Sequence, residues 1–599
     1  MNRSKHALGL ATAAPGLLLC ASLSSAQESW TARYDGPPNG PGAGTEVGTD
    51  VAVDAAGNVY VTGISDATAS GPSGTDFATI KYDAAGNELW VARYDGPGQS
   101  GDDAYAIAVD DAGHVYVCGS SVGNGTNRDF ATVKYDAQGN ELWAARYDGP
   151  GNQEDAAYAI AVDGAGHVYV TGWSDGTGAG STGLDYATLK YDAAGQLLWE
   201  RRYDGPGSGQ DRALALALDP AGGVCVTGSS LGAGSDDDYA TLRYDAAGQL
   251  LWAARYDGPG NARDTAHALA VGADGGVHVT GYSDGTGAGP SGWDCATVKY
   301  DAAGNELWAA RYDGTGADWD EGWAVALDEA GNVHVAGGTV GAGAGWWDFL
   351  TLKYDAAGNE LWNAHYDGSG GGFDEAFAIA LGQDGSVFVT GGSEGENGDD
   401  DYATLRYAAD GNELWVARYD GPGQDYDDAY AIALSPEGDV VVTGASWGGD
   451  ESADDILSAR LPALGLYADR DSISLMVGGQ QGFTLAAGPA HGLELYLVLG
   501  SMLGSQPGLF LDGHVLPLNV DAYFLNLLID PNSATHPNTL GVLDANGGAQ
   551  AALVLPAGLS PTLAGSTLHH AFLLIDPNAT PGQKLVSFAS NAVPLELLP

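Results

Sequence analysis

Apolar and polar residues alternate in short runs along most of this chain, with Gly, Asn and Asp clustered between the runs. Four such runs recur in fixed order. The first resembles Ala106-Ile107-Ala108-Val109 and the second Val115-Tyr116-Val117, and the tight Asp-x-x-Gly turn between them suits a hairpin. The third, Asp129 to Tyr135, leads through Asp136-Ala137-Gln138-Gly139-Asn140 to a fourth run built on Leu142-Trp143. None has a helical period, so each is predicted to be a strand.

The tryptophan of the fourth run returns at Trp30, Trp90, Trp143, Trp199, Trp252, Trp308, Trp362 and Trp415, at spacings of 53 to 60 residues. Such a period holds one four-stranded antiparallel unit. Radial stacking of these units buries both faces of every small sheet, which predicts a β-propeller. The chain opens on a fourth-type strand, Trp30 to Tyr34, and the repeats end on a third-type strand, Asp455 to Leu461, that lacks its fourth. The first strand is therefore expected to complete the last blade, giving eight blades closed without an open sheet edge.

The stretch Asp-Tyr-Ala-Thr-Leu-Lys-Tyr-Asp-Ala-Ala-Gly at 185–195, the Leu-Trp-x-x-Arg-Tyr-Asp-Gly strand and the hairpin at 159–172 resemble the bacterial SBBP β-propeller repeat over about residues 30–460. That resemblance implies a propeller with the Ala-Ile-Ala-Val strand innermost and the tryptophan strand outermost. It implies no catalytic motif. Residues 27–461 are thus assigned to the propeller and 462–599 to a C-terminal β-sandwich, where the sequence turns Leu-rich and weakly charged. Leu-Leu-Ile-Asp-Pro-Asn occurs there twice, at 527–532 and 573–578. The segments 541–555 and 588–599 look like a C-terminal module of secreted proteins from planctomycete-like bacteria, which implies export.

Residues 1–26 have the layout of a cleavable secretory signal: Arg3 and Lys5, an apolar run from Ala7 to Leu19, then Ser24-Ser25-Ala26. An extracellular, cell-surface or periplasmic location is expected. Cys20 follows three leucines as a lipidated cysteine would, but Leu19 stands where the lipidation peptidase normally wants a small residue. No later run has the roughly 20 apolar residues of a bilayer helix. Cleavage leaves Cys118, Cys225 and Cys295, an odd set read as buried free thiols rather than a disulfide framework.

The 599 residues include 78 acidic and 23 basic side chains, a formal charge of −55. This speaks against nucleic acid or an anionic membrane as partner and leaves cations, or a protein or cell-surface component with a basic surface. Most bases are position-matched. Lys or Arg occupies every third strand (Lys81, Lys134, Lys190, Arg243, Lys299, Lys353, Arg406, Arg460), and Arg occupies every tryptophan strand except one, where His365 stands. These read as framework.

Candidate chemistry is sparse. No His-Glu-x-x-His, Cys-x-x-Cys or haem-attachment motif occurs. Two Gly-x-Ser-x-Gly matches, at 228–232 and 444–448, follow strands without the helix that a nucleophile elbow needs, and the Gly-rich run 176–180 fails as a dinucleotide loop for the same reason. His569 and His570 are neighbours in a predicted strand and would point to opposite faces. The hairpin from Tyr191 to Trp199 is similar to the tryptophan-docking motif of eight-bladed quinoprotein dehydrogenases, which implies quinone-dependent oxidation as the enzyme alternative. The adjacent cysteine pair of many such enzymes is missing.

What recurs at functional-looking positions is acid. Glu46, Asp102, Asp155, Asp211, Asp264, Asp320, Asp374 and Asp427 precede the inner strands, and Asp76, Asp129, Asp185, Asp238, Asp294, Asp348, Asp401 and Asp455 begin the third strands. Both sets belong to the face that carries the long loops, opposite the Asp-x-x-Gly hairpins. Turn capping and pairing with the strand arginines would explain them structurally. Calcium is the functional expectation, and because it takes about six to eight oxygens its sites would be local to a blade. The candidates are Asp238 with Asp236 or Asp237, and Asp401 with Asp399 or Asp400. Solubility at high salt fits the same charge. The reading that results is a secreted, noncatalytic binding or cell-envelope scaffold, with an exported enzyme or a purely structural envelope protein as alternatives.

Overall fold

The computed structural model describes residues 30–461 except 37–45, 67–73, 177–182, 286–291, 315–318, 341–345, 396–397, 422–425, 448–453 and single loop positions at 99, 126, 152, 208, 235, 261 and 369. Beyond 461 it describes strand segments only. The expected secretory signal, Cys20 and the first Leu-Leu-Ile-Asp-Pro-Asn lie outside the described residues.

Eight four-stranded antiparallel sheets form an eight-bladed propeller. In blade one the order from the axis outward is Val47–Val53, Val59–Asp66, Thr75–Tyr82 and Glu88–Tyr94. Each inner strand packs beside the next, and the last, Asp427–Leu434, packs beside Val47–Val53. The eighth sheet draws on both ends of the repeat region: Trp30–Tyr34 pairs with Asp454–Leu461, with Trp30 opposite Arg460 and Tyr34 opposite Ile456. Among the described residues no helix is long and apolar enough to cross a membrane.

The cores lie between blades, which explains why second and third strands are almost wholly apolar or small. Val59, Val61, Ala78 and Ile80 of blade one pack against Val441 and Ile456 of blade eight. Each outer-strand tryptophan leans onto the following blade, and in every blade but the seventh its indole N–H and the third-strand base share one acceptor there. Trp90 Nε1 and Lys81 Nζ both donate to Ala137 O, at 3.2 and 3.5 Å, and Trp30 and Arg460 both donate to Ala84 O, at 3.3 and 3.0 Å. A side chain at Gly139 would run into the Trp90 ring, and its φ of +82° already favours glycine. The tryptophan-docking resemblance is accounted for here as a staple between neighbouring blades.

Every inner strand carries one bulge, at Thr49, Tyr105, Tyr158, Leu214, His267, Trp323, Phe377 and Tyr430. A bulged residue re-aims its side chain relative to the sheet. Where neighbouring bulge residues are both aromatic or histidine their rings meet, as Tyr105 stacks on Tyr158 at 4.9 Å between centroids.

Beyond the propeller the described segments are strands. Gly465–Ala468, Gly479–Ala486 and Gly548–Leu555 form one sheet, and Ser472–Ser474, Val593–Leu598, Thr567–Ile575, Leu495–Ser501 and Leu540–Val542 form a second in that order, with Val586–Ala589 added on Thr567–Ile575. His569 and His570 occupy consecutive positions of that strand, opposite Ser501 and Gly500.

Candidate functional site

The loop-bearing face is organised by one arginine per blade. Arg202, on the outer strand of blade three, donates to Asp185 at 2.9 Å, to Ser174 Oγ at 2.7 Å, to Ser174 O at 2.8 Å and to the hydroxyl of Tyr147 on the preceding blade at 3.1 Å. The same circuit is built by Arg93 with Asp76, Ser65 and Tyr34, and by Arg311 with Asp294, Ser283 and Tyr256. Arg33 builds it in blade eight with Asp455, Ser446 and Tyr419. The serines at the centres of both Gly-x-Ser-x-Gly matches, Ser230 and Ser446, are acceptors in these circuits, which gives the motif a structural use.

Blade six breaks the pattern. His365 replaces the arginine and meets Tyr312 through Nε2 at 2.6 Å, while burial and the charge of Asp367 push Asp348 up to about 6. Replacing the histidine (His365→Arg) should restore the clamp on Asp348, lower its pKa and raise the melting temperature by about 3 °C. Thermal denaturation beside the parent checks this.

The inner-strand acids form no exposed ring. Asp102, Asp155, Asp211, Asp264, Asp374 and Asp427 are fully buried, with Glu46 and Asp320 only slightly less so. In the seven aspartates the glycine six residues earlier turns its N–H onto the carboxyl, while Glu46 accepts from Ser65 Oγ and Asp66 N, both at 3.2 Å. Asp155 accepts Gly149 N at 2.8 Å and Asp175 N at 3.0 Å, and Asp427 accepts Gly421 N at 2.6 Å and Trp447 N at 3.1 Å. These carboxyls tie the incoming loop to the end of the second strand. Burial pushes Asp155, Asp264, Asp320 and Asp374 up to about 6, and Glu46 and Asp427 to about 7.

Cation ligands gather where two blades meet. Asp76, Asp95 and Asp102 form such a group, as do Asp129, Asp148 and Asp155; Asp185, Asp204 and Asp211; Asp238, Asp257 and Asp264; and Asp35, Glu46 and Asp455. In each, one oxygen per residue lies within 4.8 Å of the others. The middle member, from the Tyr-Asp-Gly that ends each outer strand, is exposed and was not singled out from the sequence. Its signal was available, since that aspartate recurs with the tryptophan. Asp238 therefore meets Asp257 and Asp264 rather than Asp236 or Asp237. Alternation along the strand separates it from Asp237, which pairs with Arg263 at 3.2 Å, while Asp236 lies exposed in the loop. Asp401 is held by Arg418 at 2.8 Å, whereas Asp400, on the other face, feels Asp428 and Glu394. Asp399 contributes its backbone carbonyl to Gly395 N at 2.7 Å.

Cys118, Cys225 and Cys295 are buried free thiols, and burial pushes Cys225 and Cys295 up to about 12. Sequence reasoning passed over the residues that depart from the repeat in blades five to eight, among them Trp293, Trp319, Glu321, Trp323, Trp347, Glu375 and Asp428. Their signal was the departure itself: Glu321, Glu375 and Asp428 stand where other blades have Val47, Ala156 or Thr265.

The fold and these groups define an eight-bladed propeller with a carboxyl-rich loop face. No family model matches the chain. The regulatory protein FlaEY of Caulobacter vibrioides is 30% identical over 185 residues, 27% of this chain and 18% of that protein, so the chain spans less than a fifth of that relative's length. Among solved structures an ulvanlyase, a polysaccharide lyase, is similar at 12% identity over 71% of this chain and 95% of its own, with a TM-score of 0.34. A glucose dehydrogenase is similar at 11% identity over 51% of this chain and 95% of its own, with a TM-score of 0.28.

Proposed function

We propose that the chain is an exported, noncatalytic binding propeller that presents its loop-bearing face to a basic partner, with calcium holding that face together. The observation that carries this reading is the repeated three-carboxyl group at blade junctions. Each of the five groups named above faces a single clamping arginine, so negative charge is left over at those junctions. A hard cation relieves that repulsion and accepts just such oxygens, with loop carbonyls completing its shell. The arginines, serines and tryptophans that a catalytic reading would recruit are already used in joining blades. On this reading the pairing of Trp30–Tyr34 with Asp454–Leu461 is the clasp of the ring, and the strands after 461 form a sandwich appended to it. The repeat chemistry supports kinship with SBBP propellers, and the basic n-region and apolar run of residues 1–26 support export.

Calorimetric titration with calcium at moderate ionic strength tests the cation sites. Saturable heat is expected, together with a melting temperature that falls on chelation and recovers when calcium returns. No saturable heat, with melting unchanged by chelation, would leave only a solvated acidic face.

A further inference from the structure

Blades five to eight gather aromatic rings in two rows. In the outer row Tyr282 stacks on Trp293 at 4.4 Å between centroids and Trp293 on Trp319 at 5.0 Å, and the row continues to Trp347 at 6.2 Å and Phe373 at 6.3 Å. The inner row consists of bulge residues: His267 stacks on Trp323 at 4.0 Å, followed by Phe377 at 6.2 Å and Tyr430 at 5.6 Å. Tyr282 and His267, 5.4 Å apart, join the rows. Trp319, Phe373 and Tyr430 keep more than a third of their surface open to solvent.

Carboxyls stand between the rows. Glu321 is 7% exposed, and no group among the described residues donates a hydrogen bond to it; its surroundings act on it through burial and the charge of Glu375. It also acts on Tyr282 of the outer row. Glu375, equally buried, accepts the indole N–H of Trp323 in the inner row. The space beside Gly338, where other blades carry Ile64, Trp173 or Tyr282, is filled by the Trp347 ring and Glu375, whose Cγ lies 3.3 Å from where a Cβ would stand. Gly392 makes room for Asp428 in the same way. Asp428 in turn faces Glu375, Asp400, Asp454 and Tyr430.

Among the described residues no lysine or arginine forms an ion pair with Glu321, Glu375 or Asp428. In blade two, at the same phase, Asp103 is paired with Arg128. Arg263 is felt by His267 and Tyr282, but it is ion-paired to Asp237, and burial pushes His267 down to about 4, so its ring is neutral. Among these residues Glu375 has only the Trp323 indole and Asp428 only the Tyr430 hydroxyl, at 3.2 Å, as donors, and Glu321 has none, so the charge of this row is left without a cation, which is costly for buried carboxyls. The open surface of Trp319, Phe373 and Tyr430 can meet ammonium groups and pack methylenes.

We propose that the acidic and aromatic strip formed by the two rows binds a linear polyamine, with ammonium groups at Glu321, Glu375 and Asp428 and the linking methylenes against the open rings. Alternating cation and hydrocarbon matches alternating carboxyl and ring in a way that a bare metal ion does not. Burial pushes Glu321 up to about 8 and Glu375 to about 7, so an arriving polycation ionises both and expels their protons. The inference is independent of calcium at the blade junctions, and the titration that tests one leaves the other standing.

The test is calorimetric titration of the full chain with spermidine in calcium-free buffer near pH 7, with magnesium and tetramethylammonium as comparators. One saturable site is expected for spermidine, with a heat that changes with the buffer's ionisation enthalpy because protons are released. Glu321→Gln and Glu375→Gln should each weaken it by about tenfold or more, with melting temperature unchanged or raised. Glu154→Gln, at an exposed acid beside Asp155 on the same face and outside the carboxyl groups named above, should leave it intact. Absence of saturable heat with spermidine would overturn the proposal. Equal binding by magnesium, or equal weakening by Glu154→Gln, would also overturn it by showing diffuse charge attraction.

Discussion

Deleting residues 27–36 is expected to lower the melting temperature by about 10 °C or more and to make the protein associate. The strand Trp30–Tyr34 pairs with Asp454–Leu461 and with no strand near it in sequence, yet it contributes Trp30, Ala32 and Tyr34 to the core that joins blade eight to blade one. Arg33 clamps Asp455 at 2.7 Å and Ser446 Oγ at 2.7 Å, and Tyr34 accepts from Arg93 of the next blade at 3.1 Å. Its removal strips one arginine circuit and one tryptophan staple, and leaves Asp455 buried without its cation, a mechanism that alone costs several kcal/mol. It also bares the edge of Asp454–Leu461, seven of whose eight residues are buried. Such an edge pairs readily with another chain. Thermal denaturation and sedimentation of the truncated protein beside the parent decide the matter. A truncated protein that melts within about 2 °C of the parent and stays unassociated would mean that the ring does not depend on this strand.

The propeller was legible because every blade repeats the same local argument. Alternating small and branched residues give strands, Asp-x-x-Gly gives hairpins, and a tryptophan every 53 to 60 residues sets the period. The acids were legible as positions but not as roles. Asp95 and Asp102 are seven residues apart and both lie on the loop face, yet one is exposed and the other buried, because the loop between them wraps the second and not the first. No property of an aspartate read alone distinguishes those outcomes. The pairing of Asp238 with Asp257 and Asp264 was hidden for a related reason. Neighbours in sequence alternate across the sheet, while these three come from a third strand, the end of an outer strand and the start of the next blade.

The aromatic rows were the least legible feature. Tyr282, Trp293, Trp319 and Trp347 occupy three different phases of the repeat, so an alignment of blades scatters them. Only the radial packing of blade five on blade six places a third-strand residue beside the loop residue of the next blade. Recurrence marks the residues that build a blade, whereas these rings stand where the blades differ from one another. Glycines at 338 and 392 carry the same lesson, since each marks a blade where the usual side chain has been given up for a neighbour's.

Acidification from pH 8 to about 5.5 is expected to stabilise the protein, raising its melting temperature by about 5 °C or more. The groups responsible are buried carboxyls whose folded pKa lies above the unfolded value: Asp50, Asp155, Asp264, Asp320 and Asp374 at about 6, Glu46, Glu375, Asp400 and Asp427 at about 7, and Glu321 at about 8. Burial is the first cause in every case. Between pH 4 and 7 the folded chain therefore holds more protons than the unfolded one, and the stability these groups provide is lost as pH rises through their folded pKa. Three buried imidazoles, His267, His278 and His334, are held down at about 4 and work in the opposite direction below pH 6.5, but they are outnumbered. Hairpin aspartates such as Asp110 and Asp163 are held below their usual range by hydrogen bonds from the turn, so their contribution disappears only in stronger acid. The stability curve should therefore peak at about pH 4, where the raised carboxyls become protonated in both states, and fall in stronger acid as the hairpin aspartates lose their charge. Calcium and protons then compete for one role at the blade junctions: calcium should raise the melting temperature at pH 8 and add little at pH 5.5. Scanning calorimetry across this range, with calcium and with chelator, reads both effects. A melting temperature that falls steadily from pH 8 to 5.5 in chelator would mean that the junction carboxyls are ionised and satisfied without either.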